Sequence, residues 1–103
     1  MTTFEYDVNK EASNILKHGI SFTQAQEIFF SSNFYTIPSQ NTTSSEERFL
    51  GIGTAASLGN IVLVVYTHRP PSNPNNIRII SARRANPQEL KRYEALKQNY
   101  PQR

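Results

Sequence analysis

Arginine is the residue type in this chain that most clearly suggests chemistry. Four arginines lie in or shortly before the stretch Ile77–Leu90, which reads IRIISARRANPQEL, and they are Arg69, Arg78, Arg83 and Arg84. A guanidinium group stays charged at every physiological pH and presents a planar fork of donors that fits a phosphate. The cluster therefore indicates a binding site for a polyanion, either in an enzyme or in a binding module.

A structural role is the alternative for each of these arginines, and for any single one it is the more common outcome. Carboxylates that could pair with them are spread along the chain. They are Glu5, Asp7, Glu46, Glu47 and Glu89. For the group as a whole, the sequence weighs binding and ion pairing about equally.

Composition sets the limits of the interpretation. The chain has 103 residues, no cysteine, a net charge of +3 and a mean hydropathy of -0.56, and no apolar run approaches the length of a membrane span. We expect a single domain over residues 1–103, in the cytoplasm. With only two histidines, far apart in sequence, we expect no metal and no other cofactor. Gly51 and Gly53 lie in a strand pattern and not in a phosphate-binding loop.

The first third of the chain predicts a strand at Thr2–Tyr6 and then two helices. Asp7 is an N-cap and Gly19 a C-cap for a helix from Val8 to His18, and Ser21 with Gln24 forms a capping box for the second helix. The first helix has an apolar side and an opposite polar stripe. Its apolar side consists of Ala12, Ile15 and Leu16, and its stripe of Lys10, Asn14, Lys17 and His18.

The remainder predicts strands and a last helix. The strands are Asn33–Pro38, Glu47–Ala55, Ile61–Arg69 and Ile77–Arg84, with the polar loop Ser39–Ser45 after the first. Asn86, Pro87 and Glu89 predict that the last helix begins at Pro87, with Tyr93 in the core. The fold class is therefore α+β: a small antiparallel sheet of three to five strands, with two N-terminal helices and one C-terminal helix.

Strand alternation divides the arginines of the fourth of these strands between two faces. It places Arg78, Ile80 and Arg84 on one face and Ser81 and Arg83 on the other. Arg48 and Arg69, on the neighbouring strands, can join one of these groups on an open face of the sheet.

Several blocks of the sequence resemble the BrnT family of type II toxins. These blocks are Phe4-x-Tyr6-Asp7-x-x-Lys10, Asn14-x-x-Lys17-His18-Gly19-Ile20-x-Phe22, Glu47-Arg48-Phe49, Val65-Tyr66-Thr67-x-Arg69 and Ile77 to Ala85. Family members usually carry Trp where this chain has Tyr6. The resemblance implies a RelE-like fold and a metal-independent endoribonuclease that inhibits translation by cleaving RNA. It also implies a BrnA-type antitoxin with a ribbon-helix-helix part, through which the pair would reach operator DNA.

The mechanism that follows as a hypothesis is attack of a ribose 2′-hydroxyl on the adjacent phosphate. Arg48, Arg78 and Arg83 would stabilise the developing charge, and His18 or Glu47 would move the proton. For His18 by itself, the sequence slightly favours a structural role at the end of its helix. The residues expected to position the RNA backbone are Lys10, Lys17, Arg69 and Arg84. The alternative is a non-catalytic or inactivated module that binds nucleic acid or antitoxin in operon autoregulation.

Overall fold

The computed structural model describes residues 1–38 and 47–101. Its elements in chain order are β1 (Thr3–Glu5), α1 (Val8–His18), α2 (Phe22–Ala25) with a 3₁₀ turn (Gln26–Phe30), β2 (Tyr35–Pro38), β3 (Phe49–Ala55), β4 (Asn60–His68), β5 (Asn76–Arg84) and α3 (Pro87–Asn99). The predicted α+β class and the order of helices and strands are confirmed. The loop Ser39–Ser45 lies outside the described residues. None of the described helices has the length and apolar character needed to cross a membrane.

One mixed sheet contains the five strands in the order β1-β5-β4-β3-β2. The apolar strand β4 lies at its centre, as its composition predicts, and Pro38 belongs to the edge strand β2. The strands β2 to β5 are antiparallel, whereas the short β1 pairs in parallel with residues 76–78 of β5. Among the described residues, the second half of β5 therefore has no strand partner on that side.

Capping interactions define the helix ends where the sequence predicts them. The Asp7 carboxylate accepts from the backbone N–H groups of Asn9 and Lys10, and Gly19 ends α1 in a left-handed conformation with φ of 70°. Reciprocal capping boxes open α2 at Ser21 and α3 at Asn86. These local signals explain why α1 and the start of α3 match their predicted bounds.

Each face of the sheet is covered by its own apolar layer. The first layer packs α2 and the 3₁₀ turn on what we call the α2 face, with Phe22 and Ile28 fully buried. The second packs α3 on the opposite face, the α3 face, where Tyr93 contacts Tyr35 edge to face at 5.9 Å between ring centroids. Tyr93 is 1% exposed and its hydroxyl donates to the Asn33 carbonyl, which confirms the prediction that it belongs to the core.

Two glycines allow close packing against β3. A Cβ at Gly51 would lie 2.8 Å from the Phe34 ring, and one at Gly53 would lie 3.1 Å from the Ile28 carbonyl oxygen. The Gly51-Ile52-Gly53 sequence is thus explained by packing on the α2 face.

Helix α1 is oriented with its polar side towards the sheet. Asn14, which belongs to the polar stripe, is only 5% exposed, whereas Leu16 on the apolar side is 88% exposed. The Asn14 side chain accepts from the Ala82 N–H at 3.0 Å and donates to the carbonyls of Ala82 and Ile20 at 2.8 and 2.9 Å. Its amide thus takes the place of a neighbouring strand beside β5, and this requirement outweighs the usual burial of an apolar helix side.

Substitution of Asn14 by alanine tests this role. We expect a loss of about 2–4 kcal/mol of unfolding free energy, because a backbone N–H and two carbonyls lose a buried partner. The exposed Asn9 of the same helix is the matched control, and its replacement by alanine is expected to change stability by less than about 0.5 kcal/mol. Urea unfolding measures both, and equal stabilities of the two variants would contradict the assignment.

Candidate nucleic-acid interface

A β-bulge in β5 determines which arginines share a face. Along β4, Val65 pairs with Ser81 but the next residue, Tyr66, pairs with Ile79, so Ile80 has no partner opposite it. Residues directly opposite each other in an antiparallel pair lie on the same face. The extra residue therefore reverses, from Ser81 onwards, which alternate residues of β5 lie on each face of the sheet.

The bulge corrects the predicted grouping of Arg78 with Arg84. Arg78 lies opposite Thr67 and Arg83 opposite Leu63, which places both arginines on the α3 face. Arg84 lies opposite Val62 on the α2 face. The prediction that Arg83 and Arg84 lie on opposite faces is confirmed, but Arg78 lies with Arg83, because uninterrupted alternation does not allow for an inserted residue.

One end of this face carries a row of polar side chains. The register places Glu5 beside Arg78 and Arg78 beside Thr67, and the hydroxyl of Thr67 donates to the Glu47 carbonyl at 2.6 Å. Because Phe49 pairs with Tyr66, Arg48 just before it is level with Thr67 and belongs by alternation to the α3 face. Arg78 in β5 and Arg48, which directly precedes β3, thus lie level with Thr67 on either side of β4.

The side chain of Arg78 is held by a carboxylate. Its guanidinium donates to Glu5 at 2.7 Å, and the other Glu5 oxygen accepts from Asn76 at 2.6 Å. Hydrogen bonds from Asn76 and then Arg78 lower the pKa of Glu5, with a smaller contribution from the charge of Arg69. Asn76 also donates to the Arg69 carbonyl at 2.6 Å, which places the Arg69 backbone at this end of the face.

Arg83 is oriented by a two-point ion pair. Its two terminal nitrogens each donate to Glu89 at 2.7 Å, and Glu89 is also the capping-box residue of α3. The pair lowers the pKa of Glu89 and raises that of Arg83, chiefly through these hydrogen bonds. The Arg83 side chain is nevertheless 43% exposed. A fixed and partly open guanidinium is suited to receive an anion.

The two paired arginines lie about 13 Å apart along β5, since four positions of β4 separate their partners at about 3.3 Å each. Val65 and Ser81 lie between them on the same face and are half-buried. This part of the sheet surface therefore has guanidinium groups at both ends and uncharged side chains in the middle.

A cleft of about 370 Å³ adjoins this surface between α1 and the free edge of β5. The bulge residues Ile80 and Ser81 line one side of it. The polar stripe of α1 lines the other side, namely Lys10, Asn14, Lys17 and His18, with Asp7, Asn9 and Ser13. Because Ser81 belongs to both, the cleft is continuous with the α3 face between Arg78 and Arg83.

Two of the residues proposed from the sequence, Arg84 and Glu47, lie elsewhere, and Arg69 lies at the end of the α3 face. Arg84 is on the α2 face, where its guanidinium donates to the His18 carbonyl at 2.9 Å and stabilises the end of α1. Glu47 lines a small recess with His68 and Pro71, away from His18. Arg69 follows β4 directly and is exposed. The two candidate proton carriers are therefore not brought together, and His18 is the one in the cleft.

The sequence does not assign a role in the site to three residues that take part in it. Glu5 and Glu89 appear there only as possible ion-pair partners, and both occur as such. Ser81 gains its position from the bulge, for which the run IRIISARR carries no glycine or proline signal. In the described ranges, no group of three or more His, Asp or Glu side chains is arranged to hold a metal ion.

The Arg83–Glu89 pair predicts a loss of stability in acid. The pKa of Glu89 is below its ordinary value of 4.5 in the folded chain, so the pair stabilises the fold above that value and this contribution is lost as the pH falls through the lowered pKa. Glu89→Gln should cost about 1 kcal/mol at pH 7 and almost nothing near pH 2.

Thermal unfolding across this pH range measures the effect. Glu94→Gln is the matched control on the same helix. Glu94 is 63% exposed and its ion pair with Lys97 is longer, at 3.5 Å, so the substitution should have a small effect at every pH. A Glu89→Gln deficit that does not change with pH would contradict the ion-pair assignment.

Comparison with known proteins identifies the family of the chain. No curated protein matches the sequence. Residues 6–89 match the model of a family described as "Ribonuclease toxin, BrnT, of type II toxin-antitoxin system". This segment contains α1, the ion pair at the start of α3, and every strand of the sheet except β1. The chain therefore belongs to the BrnT family of ribonuclease toxins.

Proposed function

We propose that this chain is a metal-independent endoribonuclease whose substrate lies on the α3 face of the sheet and in the adjoining cleft. The observation that carries the proposal is the placement of Arg78 and Arg83 on one face by the bulge at Ile80. Both are oriented by carboxylates before any substrate arrives. Donors fixed in advance stabilise developing charge better than donors that must reorganise.

The reaction is an in-line displacement at phosphorus. The ribose 2′-oxygen forms a bond to phosphorus, the 5′-oxygen of the next nucleotide leaves, and the products are a 2′,3′-cyclic phosphate and a 5′-hydroxyl. Arg83, with Arg48 and Arg78 from the other end of the face, stabilises the charge on the phosphate oxygens. Guanidinium groups can supply this stabilisation without a metal ion.

Lysines of α1 position the RNA backbone. Lys10 and Lys17 line the cleft beside Ser81, so a strand that lies on the α3 face can continue past them. Arg69 extends the basic surface at the other end. Arg84 contributes to the same field, although its hydrogen bond to α1 favours a structural role.

Proton transfer is assigned to His18 in preference to Glu47. His18 is exposed in the cleft, where its imidazole can exchange a proton with a ribose oxygen. Glu47 lies in a different recess with His68, and we retain it as the second candidate.

The cellular setting follows from the family. Membership of a type II toxin family implies an RNA target and a neutralising antitoxin, and we propose that the antitoxin is of the BrnA type with a ribbon-helix-helix part. Cleavage in the cytoplasm would inhibit translation, and operator DNA would be contacted only through the antitoxin.

A non-catalytic module is the second candidate, because the ion pairs of Arg78 and Arg83 would also suit a surface that only binds. The experiment that separates the two uses purified protein and RNA, with and without EDTA. We expect cleavage in both samples, with 2′,3′-cyclic phosphate ends. Loss of activity in EDTA, or products without a cyclic or 3′-phosphate, would contradict the mechanism. Binding without cleavage would favour the alternative.

Comparison of Arg83→Ala with Glu89→Gln separates substrate contact from structural support. Both variants lose the ion pair, but only the first loses the guanidinium. We expect Arg83→Ala to lower the cleavage rate by about 10²–10³-fold and Glu89→Gln by less than about tenfold. Arg92→Ala, on the exposed surface of α3, is the control for general loss of positive charge. Equal losses in Arg83→Ala and Glu89→Gln would assign Arg83 a structural role only.

A further inference from the structure

The apolar side of α1 is a surface that the proposed reaction does not use. Val8, Ala12, Ile15 and Leu16 recur at the spacing of one helix side and lie on the solvent side of α1. Val8 is 69%, Ile15 45% and Leu16 88% exposed. Because Asn14 fixes the opposite side of α1 to Ala82, rotation of the helix cannot bury them.

This surface has a basic flank. On a helix, Asn9, Ser13 and Lys17 follow next to the apolar side, and all three also line the cleft with Lys10. The other flank carries Glu11, whose carboxylate accepts from the Phe22 N–H at 2.9 Å and is half-buried. Along the exposed side of α1, the apolar strip is therefore followed on the cleft side by Asn9 and Ser13 and, beyond them, by Lys17 and Lys10.

We propose that this surface is the docking site of the antitoxin. The occupant that fits is an amphipathic helix whose apolar side covers Val8, Ile15 and Leu16, and whose acidic residues on one flank reach Lys10 and Lys17. Such a helix would neutralise the lysines that the proposed function assigns to RNA, and would narrow the entrance of the cleft. The proposal rests on that proposed function for its inhibitory effect, but not for the contact itself.

Charge distinguishes this occupant from the others. A second copy of the chain would use the same surface on both subunits, which would bring the lysines of the two α1 helices towards each other. RNA is bound through cations and stacked aromatic rings, and the strip Val8, Ile15 and Leu16 offers neither. An acidic amphipathic partner satisfies both the apolar strip and its basic flank.

The test measures binding of the full chain to a purified antitoxin of the BrnA type. Leu16→Asp should weaken the complex by about tenfold or more, because it removes apolar burial and adds a charge. Phe30→Asp is the matched control, since Phe30 is another exposed apolar residue, at 72%, in the 3₁₀ turn. It should bind the antitoxin as the wild-type chain does.

Three results would overturn the proposal. These are wild-type affinity of Leu16→Asp, equal loss in Phe30→Asp, and conversion of a dimer of the toxin alone into a monomer by Leu16→Asp. RNA cleavage by Leu16→Asp, measured in parallel, should equal that of the wild-type chain and should no longer be inhibited by antitoxin at wild-type concentrations. A wild-type chain that binds antitoxin through Leu16 but cleaves no RNA would refute the proposed function and leave the docking site standing.

Discussion

The extra residue in β5 is the constraint on which the candidate site depends. Without Ile80 as an unpaired residue, Arg78 and Arg83 would lie on opposite faces of the sheet and no single phosphate-binding surface could include both. The bulge also lies where β5 has lost its neighbour β1, so its residues line the cleft beside α1. Asn14 closes the next part of the same edge at Ala82. The cleft therefore lies along the edge of β5, between the part of β5 that pairs with β1 and the part that is hydrogen-bonded to Asn14.

Carboxylates connect this site to the rest of the fold. Glu5 belongs to β1 and Glu89 to the first turn of α3. Arg78 is therefore held by a strand of the sheet, and Arg83 by the helix that packs on it. Partly exposed ion pairs add little to stability. Their contribution here is orientation, because a guanidinium fixed by one edge still offers its remaining donors. The lowered pKa values of Glu5 and Glu89 mean that both partners are charged at neutral pH.

Local signals made much of the fold predictable from the sequence. Helix ends are determined by contacts within a few residues, as at Asp7, Gly19, Ser21 and Asn86. The predicted ends therefore agree closely with those in the structure. The orientation of α1 was not predictable from its pattern, because the decisive contacts of Asn14 are with residues 6 and 68 positions away. The prediction that Arg78 and Arg84 share a face was wrong for a related reason. A bulge depends on how two strands pair, and β5 read alone resembles a regular strand.

The family and the geometry supply different parts of the proposed function. Membership of the BrnT family supplies a ribonuclease toxin, and the register of β5 supplies a face with fixed guanidinium groups beside a lysine-lined cleft. The most direct measurement is a backbone amide NMR titration with an RNA oligonucleotide whose 2′-hydroxyls are methylated, which prevents attack on phosphorus. If RNA binds on the α3 face and in the cleft, the largest shifts are expected at Thr67, Ser81 and the Lys10–Lys17 side of α1. Shifts concentrated at Arg84 and the α2 face, with Ser81 unchanged, would contradict that placement of the RNA.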